Sequence, residues 1–300
     1  AEPAHTGRVM TSPAIRHAAK QAGIDLHYVS GTGPGGRVTR KDFDAYVAGA
    51  PRTATPATVA APAPVSRPDT REIKVIGLRR IIAERMAQAT QEIPHFTYVE
   101  EIDITELEAL RKHLNGKKDD PSQRLTLLPF LGLALIRALR EFPQCNSTYD
   151  KERNVLVQHG PVHMGIATQT SDGLKVPVVR DADTRSIDDL ATEIRRVSEA
   201  ARDNTITRGE LMGSTITITS LGKLGGIVST PVINQPEVGV IGVNRAVERP
   251  MVVNGQVDVR LMKNLSSSFD PRFVDGYDAA AMIQRIREML EHPALIFLPE

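Results

Sequence analysis

The pattern of apolar and polar positions divides the chain into three parts. Before residue 49, apolar residues recur at helical spacing in two short segments. Residues 49–70 are rich in Ala, Pro and Thr, with no leucine or aromatic residue to anchor a core. After residue 70, helical periodicity alternates with short apolar runs typical of buried strands. The pattern predicts a tail (1–8), a small helical domain (9–48), a semi-rigid linker (49–70) and a large domain (71–300).

Helix start signals define the small domain. Thr11 or Ser12 can cap a first helix, with Pro13 at its first position. Thr39 followed by Asp42 three residues later resembles a capping box for a second helix. These signals predict two short helices with little core between them.

The segment between these helices contains a G-x-G-x-x-G pattern at Gly31, Gly33 and Gly36. In nucleotide-binding folds this pattern opens a helix after a strand, within a βαβ unit. Here Pro34 interrupts the pattern, and no βαβ unit fits before the linker. The pattern therefore predicts a tight loop whose glycines permit positive φ, and not a dinucleotide site.

The large domain is predicted to be α/β (α+β), a mixed sheet covered by helices. Thr105 is expected to cap one of its helices. The predicted helices are Gly77–Ile93, Thr105–Leu114 and Leu125–Phe142, and the predicted strands are Phe96–Ile104, Val162–Thr168, Lys175–Val179, Ser214–Ser220, Val238–Val243 and Leu261–Ser268.

Composition excludes several classes of function. With 37 basic and 36 acidic residues, the net charge of +1 favours neither nucleic acid nor an anionic membrane as a partner. The single cysteine, Cys145, excludes an internal disulfide and suits a reducing compartment. His159 and His163 are four residues apart, but no further ligands complete a metal site, so no metal is expected. We expect a cytoplasmic protein of bacterial type, with a mitochondrial matrix origin as the alternative.

Five segments of the large domain carry a family resemblance. They are I-P-H-F-T-Y-V-E-E-I-D from Ile93, G-I-A-T-Q-T-S-D-G-L-K-V-P-V-V from Gly165, G-S-T-I-T-I-T-S-L-G-K-L-G-G from Gly213, P-V-I-N-Q-P-E-V-G-V-I-G-V from Pro231 and S-F-D-P-R-F-V-D-G from Ser268. Together they resemble dihydrolipoyl acyltransferases, the core components of 2-oxo acid dehydrogenase complexes, and are closest to the bacterial branched-chain type. The resemblance implies a chloramphenicol acetyltransferase-like fold and acyl transfer between dihydrolipoamide and coenzyme A.

The last segment departs from the family at one position. Pro271 stands where the family has its catalytic histidine, in S-F-D-H-R-x-x-D-G. The resemblance implies that Thr219 donates a hydrogen bond to the oxyanion and that Asp275 supports the site. It further implies that Arg111, Thr126, Ser220 and Gly242 contact coenzyme A. Structural alternatives remain for each of these four: a solvated helix face, a helix cap, a strand hydroxyl and close strand packing.

No other residue is an obvious replacement for the missing base. Proline has no titratable nitrogen, and Asp270 is a weak base with an unperturbed pKa near ~3.9. His95 and His163 are histidines of the large domain, but a lone histidine is more often structural. We therefore expect weak catalysis from this chain.

The small domain resembles the peripheral subunit-binding domain of the same acyltransferases, from V-M-T-S-P-A-I-R-H-A-A-K to G-T-G-P-G-G-R-V-T-R-K-D-F. This resemblance implies docking of dihydrolipoamide dehydrogenase, of the thiamine-dependent decarboxylase, or of both. Residues 1–68 carry eight basic and four acidic residues. The expected contact residues for an acidic partner are Arg16, Lys20, Arg37, Arg40 and Lys41.

The family also implies an assembly. Homotrimers with the active site between neighbouring subunits build cores of 24 or 60 subunits, and the lipoyl group is expected from a domain outside these residues. A non-catalytic core and docking protein that binds dihydrolipoamide dehydrogenase is the alternative function. A free-standing acetyltransferase is disfavoured, because it needs no subunit-binding domain.

Overall fold

The computed structural model describes residues 7–49 and 70–298, which form two compact units dividing at Glu72 and Ile73. Most of the predicted linker (50–69), most of the predicted tail (1–6) and residues 299–300 lie outside the described residues. The predicted domain limits therefore stay predictions.

The first unit contains two helices, α1 (Pro13–Gln21) and α2 (Arg40–Gly49). Of the two candidate caps for α1, Ser12 is the residue used, because its hydroxyl accepts the backbone N–H of Ile15 at 3.4 Å. The buried core of this unit is small and consists of Val9, Ile15, Ala19, Leu26, Val29, Val38 and Phe43.

The glycine-rich segment between α1 and α2 is a tight loop, as its sequence predicts. Gly35 and Gly36 have φ values of 70° and 76°, in the region that favours glycine. A Cβ on Gly31 would lie 2.3 Å from the carbonyl oxygen of Gly36. The Asp42 carboxylate closes the loop by accepting hydrogen bonds from the Thr32 backbone and hydroxyl, and these bonds lower the Asp42 pKa.

The second unit is built on a seven-stranded mixed sheet with strand order β1-β9-β8-β7-β4-β5, in which β6 also pairs with β4, beside a separate β2-β3 pair. The strands are β1 (Phe96–Asp103), β2 (Ser147–Asp150), β3 (Val155–Gln158), β4 (Met164–Thr170), β5 (Gly173–Lys175), β6 (Val178–Val179), β7 (Ile216–Ser220), β8 (Gly239–Val253) and β9 (Gln256–Phe269). The helices are α3 (Gly77–Glu92), α4 (Thr105–Asn115), α5 (Leu127–Glu141), α6 (Ile187–Arg202) and α7 (Gly276–Glu291).

The core lies between the sheet and helices α4 to α7. Helix α5 is apolar on most of its surface and buries Phe130 and Leu135 completely. The central strands contribute Ile218 and Ile241, each at most 1% exposed. β7 pairs in parallel with both β4 and β8, so it lies inside the sheet and not at its edge. This arrangement fixes the ends of β7 and β9, where the candidate site residues lie.

Two local predictions for this unit were wrong. The strand predicted over Lys175–Val179 is split into β5 and β6 at Pro177, which has no N–H for the ladder. Thr105 is the first residue of α4 and not its cap. Its backbone N–H and its hydroxyl both donate to Asp103, at 3.0 and 2.6 Å, so the preceding aspartate satisfies this helix start.

Candidate functional site

The turn between β9 and α7 carries Pro271. Directly before it, Asp270 is 1% exposed, and its backbone N–H donates to the Val238 carbonyl at 2.9 Å. Arg272 holds the Asp270 carboxylate with Nη2 at 2.6 Å and Nε at 2.9 Å, and this pairing raises the pKa of Arg272. The guanidinium also lies 5.3 Å from the centroid of the Tyr149 ring. Asp270 thus forms a buried ion pair with Arg272, and its carboxylate is not free to act as a base.

Pro271 and Asp275 are both exposed. Asp275 is the N-cap of α7 and accepts the backbone N–H of Asp278 at 2.9 Å. A carboxylate at this position also interacts favourably with the helix dipole. The structural role expected for Asp275 is therefore visible, while its part in catalysis stays a prediction.

We expect Arg272→Ala to destabilise the second unit by about 3 kcal/mol, because it leaves the buried Asp270 carboxylate unpaired. The matched control is Arg285→Ala, which breaks surface ion pairs with Glu141 and Glu288 and should cost below about 1 kcal/mol. Urea denaturation of both variants at pH 7 measures the difference. Equal, small losses would show that Asp270 does not depend on Arg272.

Thr219 and Ser220 form the end of β7. In the sheet register Thr219 lies opposite Gly242 of β8, and Gly242 lies opposite Ser266 of β9. Directly paired residues share a face, and successive residues alternate. Ser220, which pairs with the core residue Val243, therefore faces the helices, while Thr219 faces the opposite side of the sheet.

Gly242 is a site of close packing. A Cβ at this position would lie 2.3 Å from the Ser266 carbonyl oxygen, a distance that no side chain can accept without backbone movement. The same Cβ would lie 3.4 Å from the Ser229 hydroxyl. The glycine thus allows β8 and β9 to pack closely, and the packing alternative is sufficient to explain it.

Arg111 and Thr126 meet at the start of α5. Arg111 Nη1 donates to the Leu125 carbonyl at 3.0 Å, and its other nitrogens donate to Glu108 at 2.6 and 2.7 Å, which raises the pKa of Arg111. Thr126 occupies the N-cap position of α5, but its side chain makes no capping hydrogen bond, so its exposed hydroxyl is available. A guanidinium and a hydroxyl at one helix N-terminus suit a phosphate-bearing ligand.

The structure groups the predicted site residues into separate clusters. A small apolar cleft lined by Leu127, Leu128 and Val243 links the start of α5 to the sheet face that bears Ser220. The turn with Pro271 is remote from both. Thr219 is separated from Ser266 by two strand spacings of roughly 4.8 Å, and Pro271 follows Ser266 by three residues of β9 and two of the turn, at roughly 3.3 Å each. Thr219 and Pro271 therefore lie about 20 Å apart.

The histidines proposed as substitute bases have structural partners. His95 uses both ring nitrogens, Nδ1 with the Ile93 carbonyl at 2.9 Å and Nε2 with the Ile233 backbone N–H at 3.0 Å. His163 Nδ1 accepts the backbone N–H of Asp181 at 3.1 Å. Both rings are therefore held by backbone hydrogen bonds, although the β1–β9 register, in which Phe96 pairs with Phe269, brings His95 opposite Asp270.

Cys145 is not a candidate nucleophile either, because burial raises its pKa to about 12. In the part of the chain that the structure describes, no three His, Cys, Asp or Glu residues are placed to hold a metal ion. Among residues 7–49 and 70–298, no helix is long and apolar enough to cross a membrane.

The five basic residues predicted to bind a partner are all exposed on the first unit: Arg16, Lys20, Arg37, Arg40 and Lys41. Arg16 also donates to the Val9 carbonyl at 3.0 Å. Arg40 pairs with Asp44 at 3.1 Å. The side chains of Lys20, Arg37 and Lys41 are exposed, which an electrostatic contact with a partner requires.

One buried acid was missed from the sequence. Glu237 is 1% exposed and lies two residues before β8, and burial raises its pKa to about 7. The sequence carried one signal for this burial. Glu237 stands directly before the apolar run Val238–Val243, where buried residues are expected.

Comparison with known families gives two matches. The model of the 2-oxoacid dehydrogenases acyltransferase catalytic domain matches residues 67–298, and the E3-binding domain model matches residues 9–42. The chain is 56% identical over 291 residues to the lipoamide acyltransferase component of the branched-chain alpha-keto acid dehydrogenase complex of Pseudomonas aeruginosa, covering 97% of this chain and 68% of that protein. The acetyltransferase component of the Bacillus subtilis pyruvate dehydrogenase complex is 36% identical, with coverage of 97% and 68%.

Solved structures give the same result. A dihydrolipoamide acetyltransferase from Azotobacter vinelandii, studied for the role of a serine, a histidine and an asparagine in its catalytic mechanism, is 35% identical with a TM-score of 0.73. The match covers 77% of this chain and 95% of that one. The cubic core of a pyruvate dehydrogenase multienzyme complex matches with the same values. These findings confirm the resemblance and the mixed α/β fold predicted from the sequence.

Proposed function

The chain belongs to the family of 2-oxoacid dehydrogenase acyltransferases, and from this premise we propose that its second unit transfers an acyl group between dihydrolipoamide and coenzyme A, at a site that lacks its base. A branched acyl group is the proposed substrate, because the identity is 56% to a branched-chain component and 36% to an acetyltransferase component.

One observation carries this proposal. In the Azotobacter protein the serine precedes the histidine by 52 positions, and the asparagine follows the histidine by four. Thr219, Pro271 and Asp275 have the same two separations here. Two of the three positions therefore keep a residue with a hydrogen-bonding side chain, and only the histidine position has lost its chemistry.

The chemistry explains why each position matters. A thiol with a pKa near ~8.5 is only a few per cent thiolate at neutral pH, so a base must take its proton as the sulfur attacks the thioester carbonyl. The new carbon–sulfur bond leaves an oxyanion, to which the Thr219 hydroxyl donates. Expulsion of the coenzyme A thiolate, which takes up the proton, completes the exchange.

The separation of Thr219 from residue 271 supports a site shared between copies. About 20 Å is too far for a base and an oxyanion donor that act on one carbonyl. We propose that residue 271 of one copy faces Thr219 of another, in trimers that build a larger core. The matching chain from a cubic core supports such an assembly.

Coenzyme A binding does not depend on the missing base and can be measured on the unaltered chain. We propose contacts from Arg111, Thr126, Ser220 and Gly242. Arg111→Ala should weaken coenzyme A binding about tenfold, because a charge-assisted hydrogen bond is lost. Its neighbour Lys112, 72% exposed on the same helix, is the matched control, and Lys112→Ala should stay within about twofold.

Isothermal titration calorimetry provides both dissociation constants. Unchanged binding in Arg111→Ala would leave this residue as a structural link between α4 and Leu125, and would move the coenzyme A site elsewhere.

We further propose that the first unit docks dihydrolipoamide dehydrogenase through its basic face, in keeping with the E3-binding domain match; the decarboxylase is a second proposed partner. Lys20→Glu with Arg37→Glu should weaken this binding about tenfold or more at low salt, and the difference should shrink as salt screens the charges. A titration that shows equal affinity at low and at high salt would contradict an electrostatic contact.

A non-catalytic core and docking protein is the second candidate function. Pro271 is the specific observation that favours it, because the fold and the docking unit are kept while the base is absent. A bacterial cytoplasmic location is proposed for either function, on the basis of the bacterial relatives.

A further inference from the structure

The buried side chain of Glu237 connects its own segment, residues 234–238, to residues 214–217 of the second unit. Its Oε1 accepts hydrogen bonds from Thr217 Oγ1 at 2.8 Å, from Asn234 Nδ2 at 2.7 Å and from Ser214 Oγ. Its other oxygen, Oε2, is buried and has no hydrogen-bond partner within the described residues. Burial raises the pKa of this carboxyl to about 7, and the three donors on Oε1 oppose that rise.

The backbone beside Glu237 supports the turn that carries residue 271. The carbonyl of Val238, the next residue, accepts the backbone N–H of Asp270 at 2.9 Å. Residue 271 follows Asp270 directly in the chain. β8 and β9 pair up to Gly239 and Phe269, so this hydrogen bond continues the same ladder one step beyond the sheet.

A second contact reaches the same turn from the other side of Glu237. The carbonyl of the preceding residue, Pro236, accepts the backbone N–H of Tyr149 at 2.8 Å. The Tyr149 ring lies 4.6 Å from the Phe273 ring, and the Arg272 guanidinium lies over it. The segment that Glu237 anchors thus contacts Asp270 directly, and it contacts Arg272 and Phe273 through Tyr149.

The charges around Glu237 are paired with one another. Glu237 lines a cavity of about 170 Å³ with Asp270 and Arg272, which form an ion pair at 2.6 Å. Glu92 of α3 and Lys151 of the β2–β3 turn line the same cavity and pair at 2.8 Å. No ion pair found among the described residues gives Glu237 a cation. Ionisation of Glu237 would therefore place an uncompensated charge in the core.

We propose that Glu237 is a positioning residue for acyl transfer, because its buried carboxyl, hydrogen-bonded to Ser214, Thr217 and Asn234, fixes the segment 234–238 and thereby the place of residue 271. This inference rests on the proposed function of the second unit. It assigns Glu237 no contact with the substrate, because the carboxyl is buried.

The expected pH dependence follows from burial. The pKa of Glu237 in the folded chain is about 7, above the ordinary value of 4.5, so the folded state holds the proton more tightly than the unfolded state. Stability from this group is fully present below the ordinary value and declines as the pH rises through about 7. Positioning of residue 271 should decline as Glu237 ionises in the folded chain, around pH 7.

The test uses the full chain with Pro271→His, which provides a base to position, and compares it with a double variant that carries Glu237→Gln as well. Glutamine keeps the shape and cannot ionise. We expect equal kcat values near pH 6, and about tenfold higher kcat in the double variant at pH 8, where most of Glu237 is ionised in the single variant. Glu92→Gln, in the same cavity, is the matched control and should leave the pH profile unchanged.

Each other outcome has a distinct meaning. A constant ratio of kcat values from pH 6 to pH 8, whatever its size, overturns the positioning role and leaves Glu237 as an ordinary structural residue. If Pro271→His shows no transfer at any pH, the proposed function fails instead. The inference is then tested by thermal unfolding, where Glu237→Gln should remove the fall in Tm between pH 5 and pH 8; an unchanged fall overturns it.

Discussion

Replacing Pro271 by histidine should raise the rate of acyl transfer from isobutyryl-CoA to dihydrolipoamide by about 10²-fold or more. Loss of a general base typically costs about 10²- to 10⁴-fold, and proline offers no group that could substitute for one. The unaltered chain should remain near the uncatalysed rate. The measurement is the initial rate of acyl-dihydrolipoamide formation at pH 7.

The matched control separates the base from the backbone. Pro271→Ala removes the fixed φ of proline without adding a titratable group, so it should stay near background. If Pro271→Ala gains as much as Pro271→His, the proline restricts the turn and the base lies elsewhere. If the unaltered chain already turns over well, the proposed loss of the base is wrong.

The surroundings of residue 271 can accept a histidine side chain. Asp270 and Arg272 neutralise each other, and the proline itself is exposed at the start of the turn. A histidine there enters solvent-accessible space and does not have to displace a core side chain. The gain in rate should therefore come without a large loss of stability.

The second large effect concerns Thr219. In the Pro271→His background, Thr219→Val should lower kcat by about 10²- to 10³-fold, the cost of removing one oxyanion donor. Valine has nearly the same shape and keeps the strand, so the change isolates the hydroxyl. Thr219→Ser restores a hydroxyl and should recover most of the rate.

Ser220→Ala is the matched control for Thr219. Ser220 is the next residue on β7 and faces the helices, the side on which coenzyme A contacts from Arg111 and Thr126 are proposed. Its loss should raise KM for the acyl-CoA and change kcat only about twofold to threefold. Equal losses of kcat in both variants would contradict the assignment of the oxyanion donor to Thr219.

The elements predicted best from the sequence are those with clear periodicity and clear end signals. The helix predicted over Gly77–Ile93 is observed as Gly77–Glu92, and the strand predicted over Phe96–Ile104 is observed as Phe96–Asp103. Strand length was harder to predict. β8 and β9 extend far beyond their apolar cores, to a turn at Asn254 whose φ is 51°, because their outer halves are exposed and alternate weakly.

The site residues could be named from the resemblance, but their arrangement could not be predicted. The pairing of Thr219 with Gly242 depends on register between strands that are distant in the sequence. The separation of Thr219 from Pro271 depends on where β9 ends. The ion pair of Asp270 with Arg272 and the burial of Glu237 could not be predicted from the sequence, because aspartate and glutamate are not ordinarily buried.

The central claim is that the unaltered chain carries a complete site except for its base, and mixed assemblies test it most directly. The partner variant carries Pro271→His together with Thr219→Val, so it has a base and no oxyanion donor. Each protein alone should be nearly inactive. Coexpressed with different tags and purified through both, they should transfer acyl groups at least about tenfold faster than either alone, because a histidine of one copy meets Thr219 of the other. Mixed assemblies that are no more active than the separate proteins would contradict the claim.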